Sequence, residues 1–209
     1  MKQNMKNEKE EINLRELKKK KKQTINSSGK KYYSISVKQV KEIAGKFQLP
    51  SREIEISALK SNIIPERYHR NFGVISPSEQ VKLLQSKVAI IGAGGLGGTV
   101  LELLARMGIG ELIIADKDII GDSNLNRQIL STETNLGQSK TEVAVKRVKE
   151  INSSIEIIGH SVFINSDNVK KIINGAEIVV DALDNLPSDR KSTRLNSSHV
   201  KRSRMPSSA

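Results

Sequence analysis

The residues best suited to chemistry begin with a glycine cluster. Gly92-Ala93-Gly94-Gly95-Leu96-Gly97 has the spacing G-x-G-x-x-G and lies between a short apolar run, Lys87 to Ile91, and a stretch of helical periodicity. Gly92 allows a tight turn, Gly94 lets backbone N–H groups approach a phosphate, and Gly97 lets helix and strand pack closely. The helix start adds free donors and partial positive charge. Asp116 closes the next apolar run, 19 positions after Gly97. An acidic side chain there can accept hydrogen bonds from ribose hydroxyls. A nucleotide site is therefore expected. The glycine motif alone does not separate a dinucleotide such as NAD from ATP, and a purely structural turn is the bland alternative.

Other polar residues favour a triphosphate. Asp118 is followed by Ser123-Asn124-Leu125-Asn126-Arg127-Gln128 and then by Gly137-Gln138-Ser139-Lys140. Cleaving a triphosphate spreads negative charge over the α-phosphate and the departing pyrophosphate, and fixed cations stabilise that charge. Arg127 and Lys140 could serve so. Taken singly, Arg127 reads as a surface ion-pair residue and Lys140 as a solvated first-turn residue. Asp184, in Asp181-Ala182-Leu183-Asp184-Asn185, could hold Mg²⁺ that bridges phosphate oxygens. Standing alone, it reads as a loop residue capping a helix.

The elements that must position these residues alternate. Strands are expected at Lys87 to Ile91, Glu111 to Asp116, Ser154 to Phe163 and Ala176 to Asp181. Helices are expected at Gly95 to Met107, ended by Gly108, at Lys140 to Ile151, and from Asp167 or Asn168 to Ile173. That order predicts an α/β fold, a Rossmann-like doubly wound and mostly parallel sheet. Ser76-Pro77-Ser78-Glu79 is a capping-box start for a helix reaching about Leu84. Val37 to Phe47 and Ser51 to Leu59 read as a pair of short helices, with Ser51 as the cap of the second. A DNA-reading helix-turn-helix is the less favoured interpretation of that pair.

The net charge of +12 sits at the two ends. Met1 to Lys31 holds 11 Lys/Arg and 4 Glu, and Asp189 to Ala209 holds 6 Lys/Arg and 1 Asp, leaving 18 residues of each sign between them. A nucleic-acid footprint should instead mark the folded domain. Residues 1–31, with Lys18 to Lys22 in succession, are expected to be a disordered Lys-rich tail. A basic arm for RNA or anionic lipid is the alternative. Residues 189–209 lack periodicity. Back-translated, Asp189 to His199 and Ser203 to Ala209 read in one frame as a short-read sequencing adapter, so the natural sequence is expected to stop near Ser188. The chain has no Cys, which excludes disulfides, thiolate zinc sites and a Cys nucleophile as written. No signal peptide or membrane-spanning run is visible, so a cytoplasmic protein is expected, with neither nucleic acid nor membrane as partner.

Taken together, Arg67-Tyr68-His69-Arg70-Asn71, Gly92 to Gly97, Asp116-Lys117-Asp118, Ser123 to Gln128, Gly137 to Lys140 and Asp184-Asn185 resemble the ThiF/HesA/MoeB family, bacterial relatives of ubiquitin-activating enzymes. The likeness spans roughly residues 64–188. It implies Mg-ATP on the turn formed by Gly92, Gly94, Gly95 and Gly97. It also implies Asp116 on the ribose, Asn124, Arg127 and Lys140 around the phosphates, and Asp184 for Mg²⁺ and catalysis. Arg70 matches an arginine that reaches the nucleotide of a neighbouring subunit, which implies a homodimer. The implied reaction is adenylation of the C-terminal Gly carboxylate of a ubiquitin-like sulfur-carrier protein, for thiamine or molybdopterin-type cofactors. Family members continue past the Asp184 loop, and a zinc site is expected only in that later part. The chain as written is thus expected to be a truncated adenylyltransferase domain (64–188) and to form about half a site. It is preceded by a small helical accessory segment (32–63) to which the resemblance gives no role. The competing functions are an NAD(P)-binding oxidoreductase, adenylation of a modified tRNA base, and a non-catalytic nucleotide-binding module.

Overall fold

The computed structural model describes residues 15–25, 29 and 31–183. Both the proposed adapter segment and Asp184-Asn185 lie outside them. The chain forms two compact units, divided between Leu84 and Gln85. The expected boundary near residue 64 is therefore displaced. The turn bearing Arg67 to Asn71 and most of the following helix belong to the first unit.

The first unit departs most from expectation. A helix covers residues 15–20 (α1). A three-stranded sheet follows from β1 (Lys22–Ile25), β2 (Lys31–Ile35) and β3 (Ile63–Pro65). β1 runs antiparallel to β2, and β2 runs parallel to β3. Part of the stretch expected to be a disordered tail is thus ordered. The physical reason is Leu17, fully buried among Ile35, Val40, Ile43, Ile54 and Ile63. One well-placed apolar anchor organises a segment that is otherwise charged. Lys20 and Lys46 pair with Glu42 and Glu16, and Lys21 stacks its ammonium over the Tyr33 ring at 3.5 Å.

The two expected helices are present as α2 (Val37–Phe47) and α3 (Ser51–Lys60). Ser36 and Gln39 close a capping box at the start of α2, and Gln48 ends it in the left-handed region at φ 52°. Ser51 is not the cap of α3. Pro50 takes that place with no side-chain bond, and Ser51 is already helical. The accessory segment is therefore α/β rather than purely helical. A short 3-10 turn, Glu66–Asn71, leads towards α4 (Pro77–Gln85). The Ser76–Glu79 capping box forms as expected: the Ser76 N–H donates to Glu79 Oε2 at 2.7 Å, and the Glu79 N–H to Ser76 Oγ at 3.3 Å.

The second unit is the predicted parallel sheet. Its strands are β4 (Lys87–Ile91), β5 (Glu111–Ala115), β6 (Glu156–His160) and β7 (Ile178–Asp181), in spatial order β6-β5-β4-β7. All three pairings are parallel. The connecting helices are α5 (Gly95–Met107), α6 (Lys140–Ile151) and α7 (Val169–Ile172). β4 and β5 are apolar on both faces, as a sheet covered on both sides requires. Ala89, Ile91, Ile113 and Ala115 pack with Ile172 on one face, and Val88, Ile90, Leu112 and Ile114 are buried on the other. Gly108 ends α5 at φ 88°. β6 and β7 are shorter than expected, and among the described residues each forms an edge, where Ile158 and Ile178 remain exposed. No helix among the described residues is long and apolar enough to cross a membrane.

Candidate functional site

At the carboxyl ends of β4 and β5, the site is built around the glycine turn. Gly92 follows β4 at φ 97°, a conformation that favours glycine, and a Cβ there would stand 2.8 Å from the Ala182 carbonyl oxygen. A Cβ at Gly97 would meet the Gly92 carbonyl oxygen at 1.9 Å. Both glycines are therefore fixed by sterics within this chain. Gly94, the cap residue of α5, and Gly95, its first residue, are half-buried, so the first turn of the helix stays accessible. No side chain caps its donors, which leaves them for an anion.

A chain of polar contacts leads away from this turn. The Ala93 N–H donates to Asp116 Oδ2 at 2.7 Å, and the Asp118 N–H donates to Asp116 Oδ1 at 2.8 Å. The Asp116 N–H itself bonds the His160 carbonyl at 3.1 Å. Asp116 is thus rigidly held, with a lone pair left on each oxygen for a further donor. Lys140 Nζ then lies 3.2 Å from Asp118 Oδ2, and the Lys140 N–H bonds the Asp118 carbonyl at 3.1 Å. The Lys140 side chain is only 8% exposed. The alternative of a solvated first-turn lysine therefore does not describe it.

Asn124 and Arg127 are arranged differently. Asn124 Oδ1 accepts the Gly121 N–H at 3.0 Å and so closes its own loop. The Arg127 guanidinium is exposed and donates through Nη1 to the Ser123 carbonyl at 2.6 Å and to Asn126 Oδ1 at 3.1 Å. What Arg127 brings to the glycine turn is its backbone: a Cβ on Gly95 would lie 3.3 Å from the Arg127 carbonyl oxygen. The next residue is Gln128, to which the sequence motif assigns no role. It is buried, its Nε2 would be 3.9 Å from a Cβ on Gly94, and its Oε1 has no hydrogen-bond partner among the described residues. The adjacent polar pair Arg127-Gln128 was the available signal that one of the two turns inward.

Arg70 lies in the first unit, exposed on the Glu66–Asn71 turn. Asp184 lies outside the described residues, and among those described no group of three His, Asp or Glu stands ready to hold a metal ion. The glycine turn and the rigid Asp116 fit a nucleoside phosphate. The fit of Mg²⁺ rests on Asp184.

Comparison with known proteins points to one family. The ThiF family matches residues 68–201. The SAMP-activating enzyme E1 of Haloferax volcanii is 36% identical over 124 residues, which is 58% of this chain and 46% of that protein. The sulfur carrier protein ThiS adenylyltransferase of Bacillus subtilis is 41% identical over 123 residues, 57% of this chain and 37% of that protein. Among solved structures, the tRNA N6-threonylcarbamoyladenosine dehydratase TcdA of E. coli, in complex with ATP, is similar with a TM-score of 0.56 at 30% identity. The match covers 57% of this chain and 50% of that one. This chain spans about half the length, or less, of these relatives. With the parallel sheet, the glycine turn and the family match in agreement, the chain belongs to the ThiF family.

Proposed function

We propose that the parent protein is an ATP-dependent adenylyltransferase acting on the C-terminal Gly carboxylate of a ubiquitin-like sulfur-carrier protein. The observation that carries this is the continuous contact chain from Ala93 through Asp116 and Asp118 to Lys140. It links the glycine turn, the Asp116 carboxylate and the buried Lys140 ammonium group at one end of the sheet, which supports a phosphate and ribose site there. An oxidoreductase has no use for that cation.

In this mechanism, ATP lies with its phosphates on the α5 N-terminus and its ribose on Asp116. The carrier carboxylate, ionised at neutral pH, attacks the α-phosphorus, and the bond to the departing pyrophosphate breaks. Acyl-adenylate and pyrophosphate result. No residue has to remove a proton, so positioning and charge stabilisation carry the rate. Lys140 stabilises charge developing on the phosphates. Arg127 joins it by leaving its loop carbonyl, and Asn124 keeps that loop closed. Asp184 would hold Mg²⁺, which when bound would supply positive charge against the phosphates. Arg70 of the partner subunit reaches the nucleotide, which makes the working form a homodimer. Thiamine or molybdopterin-type cofactor synthesis in the cytoplasm is the pathway proposed.

The test is ATP–pyrophosphate exchange in the presence of a ubiquitin-like carrier. Arg127→Ala and Asp184→Asn should abolish exchange, and wild-type rates in both would reject the site. A second reading follows from the likeness to the tRNA dehydratase. It predicts AMP release with tRNA in the absence of any carrier.

A further inference from the structure

The first unit contains a polar arrangement that the proposed chemistry does not use. Glu55, on α3, is fully buried. Tyr68, also fully buried, donates its hydroxyl to Glu55 Oε2 at 3.2 Å, and Arg67 Nε lies 3.2 Å from Glu55 Oε1. A buried carboxylate is costly unless it is paired and hydrogen-bonded, so this one ties two successive residues of the Glu66–Asn71 turn to α3. The rest of the turn is held as well. Ser34 on β2 donates to Glu66 Oε1 at 3.2 Å. Tyr32 stacks on His69 with ring centroids 4.8 Å apart. Asn71 donates to the buried Gln80 Oε1 at 2.8 Å. Of the six residues in the turn, Arg70 alone has a side chain that no described residue holds, and it is exposed.

Five anchored residues around one free arginine is the arrangement expected of a rigid presenting turn. The geometry points to the accessory unit as a mount for Arg70, with Glu55 as the positioning residue that fixes its direction. This rests on the adenylyltransferase reading, in which Arg70 reaches the nucleotide of a neighbouring subunit. It gives a task to α3 and β2, which lie outside the part of the chain that carries the family resemblance. A long, flexible arginine delivered on a loose loop would lose entropy on each encounter with the phosphates, and a preorganised one loses less.

Two measurements on the full-length parent protein test this. The first is amide hydrogen exchange at Phe72 and Ile75, whose N–H groups bond the carbonyls of His69 and Asn71. Glu55→Gln should speed exchange there at least tenfold. Tyr68→Phe, which removes only one hydroxyl, should do so to a smaller extent if Glu55→Gln unfolds the unit. Unchanged exchange in both variants overturns the mount even if the enzyme is active.

The second is a double-mutant cycle on ATP–pyrophosphate exchange with a ubiquitin-like carrier. Arg70→Ala should lower kcat at least tenfold. Tyr68→Phe should lower kcat severalfold with little change in KM for ATP, and should cost nothing further when Arg70 is already Ala. A structural effect alone would multiply with Arg70→Ala, and that result overturns the inference while leaving the adenylyltransferase intact. A wild-type, full-length parent protein without exchange, by contrast, rejects the adenylyltransferase reading and the task of Arg70 with it.

Discussion

Asp116 Oδ2 accepts the Ala93 N–H at 2.7 Å, so the carboxylate expected on the ribose is also a clamp on the glycine turn. One residue thereby sets the distance between the two halves of a nucleotide site. Asp116→Asn replaces an acceptor oxygen by a donor and removes the charge. A hydrogen bond to a charged group contributes about 1.5–3 kcal/mol, so the Kd for ATP should rise about ten- to hundredfold. Calorimetric titration with ATP checks this, and an unchanged Kd would detach Asp116 from the site.

Lys140 is held by Asp118 through both its backbone and its ammonium group. Removing a preorganised charge-stabilising group costs about 10²–10³ in kcat. Lys140→Met should therefore lower the exchange rate by that order, with a smaller effect on KM for ATP. Asp118→Asn should cost less, because it loosens the lysine without removing it. An Asp118 effect as large as that of Lys140 would mean that Asp118 itself touches the nucleotide.

The glycines of the turn should separate folding from binding. A Cβ at Gly97 would overlap the Gly92 carbonyl at 1.9 Å, whereas at Gly94 the nearest atom is 3.9 Å away. Overpacking typically costs about 1–3 kcal/mol and occasionally more. Gly97→Ala should lower the Tm by several degrees or prevent folding. Gly94→Ala should leave the Tm nearly unchanged and weaken ATP binding, since its methyl group would intrude only on a ligand. Thermal melts with and without ATP distinguish the two.

Glu102 gives the second unit a defined acid sensitivity. It is 9% exposed in its side chain and bonds Arg147 at 2.9 Å and Arg106 at 2.6 Å. The Arg147 guanidinium, opposed by burial and assisted by Arg106, holds its carboxyl below the ordinary value of 4.5. A depressed folded value means that the contribution is complete above the unfolded value and is lost as pH falls through the lower folded one. Stability should therefore decline below about pH 4.5 through this group. Arg147→Leu should flatten that part of the stability curve, and denaturant titration across pH 3 to 6 measures it.

The second unit was largely legible because its signals are local and mutually consistent. The elements β4, α5 and α6 follow from the apolar run at Lys87 to Ile91, from Gly95 and Gly108, and from the apolar residues Val143, Val145, Val148 and Ile151. The first unit was not. Lys22 to Ile25 lies within the stretch that reads as a Lys-rich tail, Lys31 to Ile35 leads into a segment that reads as helical, and tertiary burial of Leu17 and Ile35 structures both. Periodicity cannot register a single buried anchor. The site was legible in residue type and less so in direction. Lys140 turns inward, as phosphate chemistry would require, while Arg127 bonds its own loop and Gln128 takes the buried place. Side-chain direction depends on the neighbours a loop meets, which spacing does not encode.

The parallel pairing of β4 with β7 also has a consequence for biosynthesis. Val88 stands opposite Ile178, so this ladder joins positions ninety apart in the chain. During synthesis, β4 and its glycine turn emerge first and can pair with β5 soon afterwards. The other edge of β4 must remain uncovered until the ribosome has released the chain beyond Asp181. Non-local parallel pairing is slow, and unpaired edges invite association between nascent chains. The strand that carries the glycine turn is thus the one most in need of protection while the protein is being made.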